Sequence, residues 1–169
     1  MQQAILQHEP VIRLGFFLAV LALVALAEHI APRRALTVSR FRRWTSNLAI
    51  VFLNSALVRV LFPMAAAGFA GLASARGWGL FNNSVLPFWV AFLASVVLLD
   101  LAIYLQHVMF HAVPALWRLH RMHHADLDFD VTTGARFHPI EIALSMLIKF
   151  AVIAALGAPA VAVGWCSRS

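Results

Sequence analysis

Asp100-Leu-Ala-Ile-Tyr104-Leu-Gln-His107-Val-Met-Phe-His111, continued after Pro114 by Ala-Leu-Trp117-Arg118-Leu-His120-Arg-Met-His123-His124, is the stretch from which the rest of the chain is read. It holds five of the eight histidines in two runs, and long apolar segments lie on both sides of it. Residues three or four apart share one face of a helix, so each run can aim its rings at one point. Neutral imidazole is the commonest nitrogen donor to transition metals. The pattern predicts a metal centre on helices beside a membrane.

Outward from this stretch, the composition fixes the solvent. A chain of 169 residues that is 62% hydrophobic and 12% charged lies far outside the range of soluble domains and reads as an all-α integral membrane protein. A net charge of +6 could suggest nucleic acid, but aromatic and basic residues are not interleaved on a polar surface and no recognition fold is legible, so nucleic acid is excluded. The positive charge concentrates in Arg33, Arg34, Arg40, Arg42 and Arg43, between two apolar runs, which is a cytoplasmic loop by the positive-inside rule. Cys166 is the single cysteine, so no intramolecular disulfide exists.

Four apolar runs follow, for about four transmembrane helices with a histidine-rich cytoplasmic helical region. Val11 to Ile30 is long enough to span; Ala25-Leu-Ala27 before Glu28 gives a signal peptide as the competing reading, and the downstream arginines favour an anchor. Leu48 to Ala75 should kink at Pro63. Pro87 to Tyr104 runs without a break into the first histidines, after a turn-rich loop over Arg76 to Leu86. Pro139 to Trp165 is interrupted by Gly157-Ala-Pro159, a helix-stop signal. With the arginine loop inside, His107 to His138 are cytoplasmic. Residues 1–47 form the anchor helix and basic loop, and residues 48–169 the histidine-bearing domain.

Asp100, Tyr104, His107 and His111 fall within about 60° of one another on a helical wheel, a polar stripe that lipid would not tolerate. Asp100 either pairs with Arg59, at similar depth, or fixes an imidazole from behind as an outer carboxylate. Five imidazoles exceed the three or four of a single zinc site, so two metals, or iron in a nitrogen-rich shell, are expected. His138 precedes Pro139 and stands three residues before Glu141. Ligand and helix cap are equal readings for it. His8 and His29 are lone interfacial residues. Asp126, Asp128 and Asp130 read as a solvated connecting loop, Arg118, Arg121 and Arg136 as facing lipid phosphate or an acidic redox partner, and Lys149 as snorkelling or lining an interior cavity.

The same residues, with Arg136-Phe-His138-Pro139-Ile-Glu141, resemble the fatty acid hydroxylase and sterol desaturase superfamily, from about Arg40 onward. That family has a HxxxH box, a HxxHH box and a downstream histidine before proline. The resemblance implies a membrane oxidoreductase with a non-haem diiron centre on the cytoplasmic face; a bacterial inner membrane is the expected location, with an endoplasmic reticulum left open by the sequence. It would use O2 as co-substrate, a membrane lipid or sterol as substrate and a separate electron donor, with zinc able to enter the site in preparations. By position, His107, His111, His120, His123, His124 and His138 are the metal ligands, and no catalytic residue stands apart from them. No histidine follows His138, where the family has a third box, so a C-terminally truncated and catalytically inactive metal-binding protein is the alternative. A transporter would spread its ligands across the membrane depth, and a zinc hydrolase would want a general base beside an open site. Both fit less well. Oligomeric state is not encoded legibly.

Overall fold

The computed structural model describes residues 2–32 and 35–166, with side chains from residue 15 onward within them; Arg33 and Arg34 and the side chain of His8 lie outside the described residues. The order is α1 (Gln2–Ile30), α2 (Arg40–Leu61), α3 (Ala66–Ala75), α4 (Phe88–Ala112), α5 (Pro114–His124), α6 (Pro139–Leu156) and α7 (Ala160–Cys166), with short 3-10 turns at Phe81–Asn83 and Thr133–Ala135. Every regular element among the described residues is helical. Among the described residues, three stretches can cross a membrane by length and composition: Arg40–Ala75, Phe88–Ala112 and Pro139–Leu156. Gly15–Ile30 is a shorter apolar helix.

Proline sets the boundaries as its chemistry requires. Pro63 lacks an N–H and clashes with the preceding turn, so α2 stops at Leu61 and α3 restarts at Ala66. Pro114 opens α5 at its first helical position, where the missing N–H costs nothing, and Pro139 does the same for α6. The chain therefore turns sharply between the two histidine runs. At the other end of α6, Gly157 adopts a left-handed conformation (φ 66°), and Ile153 O accepts from both Gly157 N and Ala158 N. A Cβ built on Gly79 would lie 2.0 Å from Gly157 N, so the loop before α4 presses directly on this helix end.

The surface is apolar and the interior partly polar, the reverse of a soluble domain. Phe52 is 79% exposed while Asn47, one face away on the same helix, is 1% exposed. In hydrocarbon this is the stable arrangement, because polar groups must be satisfied internally. Small residues permit close helix contact: Ala70 and Ala73 of α3 and Ala162 of α7 are fully buried, and α3 and α4 both pack on α7. Beside them Phe69 stacks on Phe150 at 4.5 Å.

The segment after α5 is a correction to the solvated-loop expectation. Asp128 and Asp130 are buried, and each carboxylate of the Asp126–Asp130 series is engaged. Asp128 accepts from Thr37 N, Thr37 Oγ1 and Val38 N at 2.8–3.0 Å. Arg43 forks onto Asp126 through Nε and Nη2, both at 3.0 Å, and Nη2 also reaches Asp130. Trp44 Nε1 donates to Asp130, Asn47 to Thr132 Oγ1 and Asn54 to the Phe137 carbonyl. Glu28 of α1 accepts from Val131 N. The alternating spacing turns the acids inward and leaves Leu127 and Phe129 outside. Burial would raise the Asp126 carboxyl; the Arg43 fork, the Thr133 hydroxyl and the Asp128 N–H outweigh it and hold it well below the usual carboxylate range. This network straps α2 to the segment that follows the second histidine run.

Candidate metal centre

Two helices supply the five clustered histidines. His107 and His111 are one turn apart near the end of α4; His120, His123 and His124 lie on the last turns of α5. Because Val113-Pro114 reverses the chain, the two sets face each other. The His107–His111, His107–His120 and His111–His120 ring centroids lie 4.7–4.8 Å apart, and donor nitrogens of these three all fall within 4.8 Å of one another. His124 stands 5.0 Å from both His111 and His120. His123 lies 5.7 Å from His120 and 5.0 Å from His124.

The nitrogens suit a shared cation. His124 Nε2 and His120 Nε2 are 3.3 Å apart. Two nitrogens bound tetrahedrally to one ion at about 2.0–2.1 Å stand roughly 3.3–3.4 Å apart. The 4.8 Å span of His107, His111 and His120 is wider, and the exposed His107 and His111 are the rings free to close it by rotation.

His120 is the fixed member of the set, 1% exposed, with Nδ1 at 2.6 Å from Glu141 Oε1. A carboxylate accepts, so Nδ1 carries the proton and Nε2 turns its lone pair toward the other rings. His123 stacks on Phe137 at 4.5 Å with planes 5° apart, and Asn54 pins the Phe137 backbone from α2. Trp117 covers the other side, with its ring 5.2 Å from His111 and 5.7 Å from His124. Burial, followed by the neighbouring imidazoles, pushes both His123 and His124 below the ordinary histidine value, so both are neutral and able to ligate at pH 7.

Two expected site residues lie elsewhere. Asp100 shares the helix face of His107 but stands seven residues, or about 10 Å of rise, away from it. It lines a separate groove with Tyr104, Trp165 and Cys166. The carboxylate behind an imidazole is Glu141, which the sequence suggested only as a first-turn residue of α6. Arg59 is exposed, and among the described residues no ion pair joins it to Asp100. His138 is the N-cap of α6, its Nδ1 accepting from Ile140 N at 3.2 Å. Among the described residues no ring contact ties it to the other five. His29 accepts from Arg40, at the end of α1.

A cavity of about 370 Å³ opens beside the histidines, between α4 and α6. His107, Phe110, Phe137 and Glu141 form its end nearest the cluster. Ile103, Ile142, Ile148 and Val152 make its middle and far walls apolar, and Lys149 and Cys166 lie toward the far end. Gln106 Nε2 donates to Ser145 Oγ across it at 2.6 Å.

Residues 92–168 match the model of the fatty acid hydroxylase family. The match begins at Phe92, later than the resemblance from about Arg40 onward, and includes all five clustered histidines and Glu141. No curated protein and no solved structure matches the chain.

Proposed function

We propose, from the match of residues 92–168 to the fatty acid hydroxylase model, that the chain is a membrane lipid oxidoreductase that holds iron, two ions at full loading, through His107, His111, His120, His123 and His124. When bound, the iron supplies the O2-dependent oxidation of an unactivated C–H bond. The remaining work falls to the protein. Glu141 keeps the His120 ring in the tautomer that presents Nε2. Phe137 and Trp117 limit ring rotation and water access on either side. The apolar walls of the 370 Å³ cavity take a lipid chain and bring its reacting carbon to His107. A separate electron donor docks on the same end, where Arg118 and Arg121 of α5 are exposed.

One observation carries this reading: five imidazoles from two helices converge at the mouth of an apolar cavity whose wall includes His107 and Glu141. Arg40, Arg42 and Arg43 lie at the end of the bundle that also carries the strap and the histidines, which supports a cytoplasmic site. The reading includes the inner membrane of a bacterium, which fractionation of source cells tests. The functional experiment expresses the chain in a host lacking its own lipid hydroxylases, with a reductase system supplied, and compares its lipids with those from a His107→Ala variant. Hydroxylated or newly unsaturated chains that vanish in the variant support the proposal. Metal-loaded protein that leaves every lipid unchanged under O2 and reductant contradicts it.

A further inference from the structure

Among the described residues, Lys149 is the one lysine or arginine that lines the cavity between α4 and α6. It sits eleven residues into an 18-residue apolar helix, and its side chain is half-buried. A charge at such depth is costly and calls for a counter-ion. Among the described residues no ion pair or hydrogen bond engages its ammonium. Asp100 is an acid to weigh as that partner, since Cys166 borders both its groove and the cavity of Lys149. Yet Asp100 lines the neighbouring groove and Lys149 the cavity, and no ion pair joins the two among the described residues.

The cavity is also electrically asymmetric. Glu141 marks the histidine end, and its Oε2 is buried without a hydrogen-bond partner. Lys149 follows Glu141 by eight residues, about 12 Å along α6. An anionic head would be repelled at the first position and held at the second. The walls between them are apolar apart from the Gln106–Ser145 pair, which suits an alkyl chain. We infer that Lys149 selects an alkyl-chain substrate bearing an ionised carboxylate, and holds that group at the far end of the cavity with the chain directed toward His107. An ammonium is donor-only, so a carboxylate satisfies it and a neutral methyl ester does so poorly. This assignment rests on the lipid-oxidation reading only for the kind of molecule that enters.

The test needs no metal. Full-length protein in nanodiscs of neutral lipid is photolabelled with a diazirine-bearing palmitic acid and, separately, with its methyl ester, and the adducts are mapped by peptide mass spectrometry. The acid is expected to label α4 and α6 lining residues between Lys149 and His107, such as Ile103 and Ile142. Lys149→Met should reduce acid labelling roughly tenfold, the ester labelling should persist, and Lys149→Arg should restore the acid. Persistent ester labelling also reports that the variant is folded. Equal labelling of the wild type by acid and ester, or a Lys149→Met protein that keeps its preference for the acid, overturns the role of Lys149 and leaves the lipid reading standing. Absence of cavity labelling by either probe overturns both.

Discussion

Replacing Glu141 by Gln should weaken metal binding without unfolding the protein. The wild-type contact is a charge-assisted hydrogen bond of 2.6 Å between two side chains that are 1% and 5% exposed. Glutamine preserves the volume and can still accept from Nδ1–H, but it removes the negative charge that makes the His120 ring a stronger donor at Nε2. A hydrogen bond to a charged group contributes about 1.5–3 kcal/mol, and loss of an outer carboxylate commonly costs about 10–100-fold in metal affinity. The two figures agree, since every 1.4 kcal/mol is about tenfold. We expect about 10–100-fold weaker Co2+ or Zn2+ binding, read by competition with a chromophoric chelator on detergent-purified protein, with helical circular dichroism unchanged. Asp100→Asn is the internal control and should leave affinity within about twofold of wild type, because Asp100 lies about 10 Å of helical rise from His107. Unchanged affinity in Glu141→Gln, or an equal loss in Asp100→Asn, would refute the assignment of Glu141 as the group that orients His120.

Three further outcomes follow from the same geometry. Phe137→Ala removes the ring stacked at 4.5 Å on His123 and should weaken metal binding about 2–10-fold in the same competition assay, the equivalent of about 0.5–1.5 kcal/mol for an aromatic pair. Asp126 is held below its ordinary value, so its ion pair stabilises the fold fully above about pH 4 and loses that contribution as pH falls through the native value; tryptophan-monitored melting should show a steep decline in acid that Asp126→Asn flattens. Gly157→Ala puts a Cβ 2.6 Å from Trp78 O at a left-handed position, and should lower the melting temperature by an amount equivalent to about 1–3 kcal/mol.

Local chemistry was readable in the sequence and depth was not. The histidine spacing gave both runs, because i, i+3 and i+4 positions share a face wherever the helix goes. Proline placed the starts of α5 and α6 and the break at Pro63. A wheel projection ignores rise, however, which is why Asp100 looked like a partner for an imidazole that lies two turns further on. Glu141 was in view as the third residue after a helix-capping histidine; its reach to His120 depends on how α6 packs against α5, a contact between residues 21 positions apart. The Asp126–Asp130 series misled for a related reason. Alternating acids on a short segment read as solvated until a cation from elsewhere is known to face them, and Arg43 is 83 residues upstream of Asp126. Lys149 had two readings, and only the position of the α4–α6 cavity put it on the lining.

The convergence of two helices' imidazoles on shared cations is the claim beneath all of this, and metal content tests it most directly. His107 and His111 are both exposed, so their joint replacement by alanine should spare the fold. Iron, zinc and manganese per chain, measured by mass spectrometry on purified wild type and on the His107→Ala/His111→Ala variant, should fall to background in the variant while helicity is retained. Wild-type metal stoichiometry in a folded variant would contradict the account.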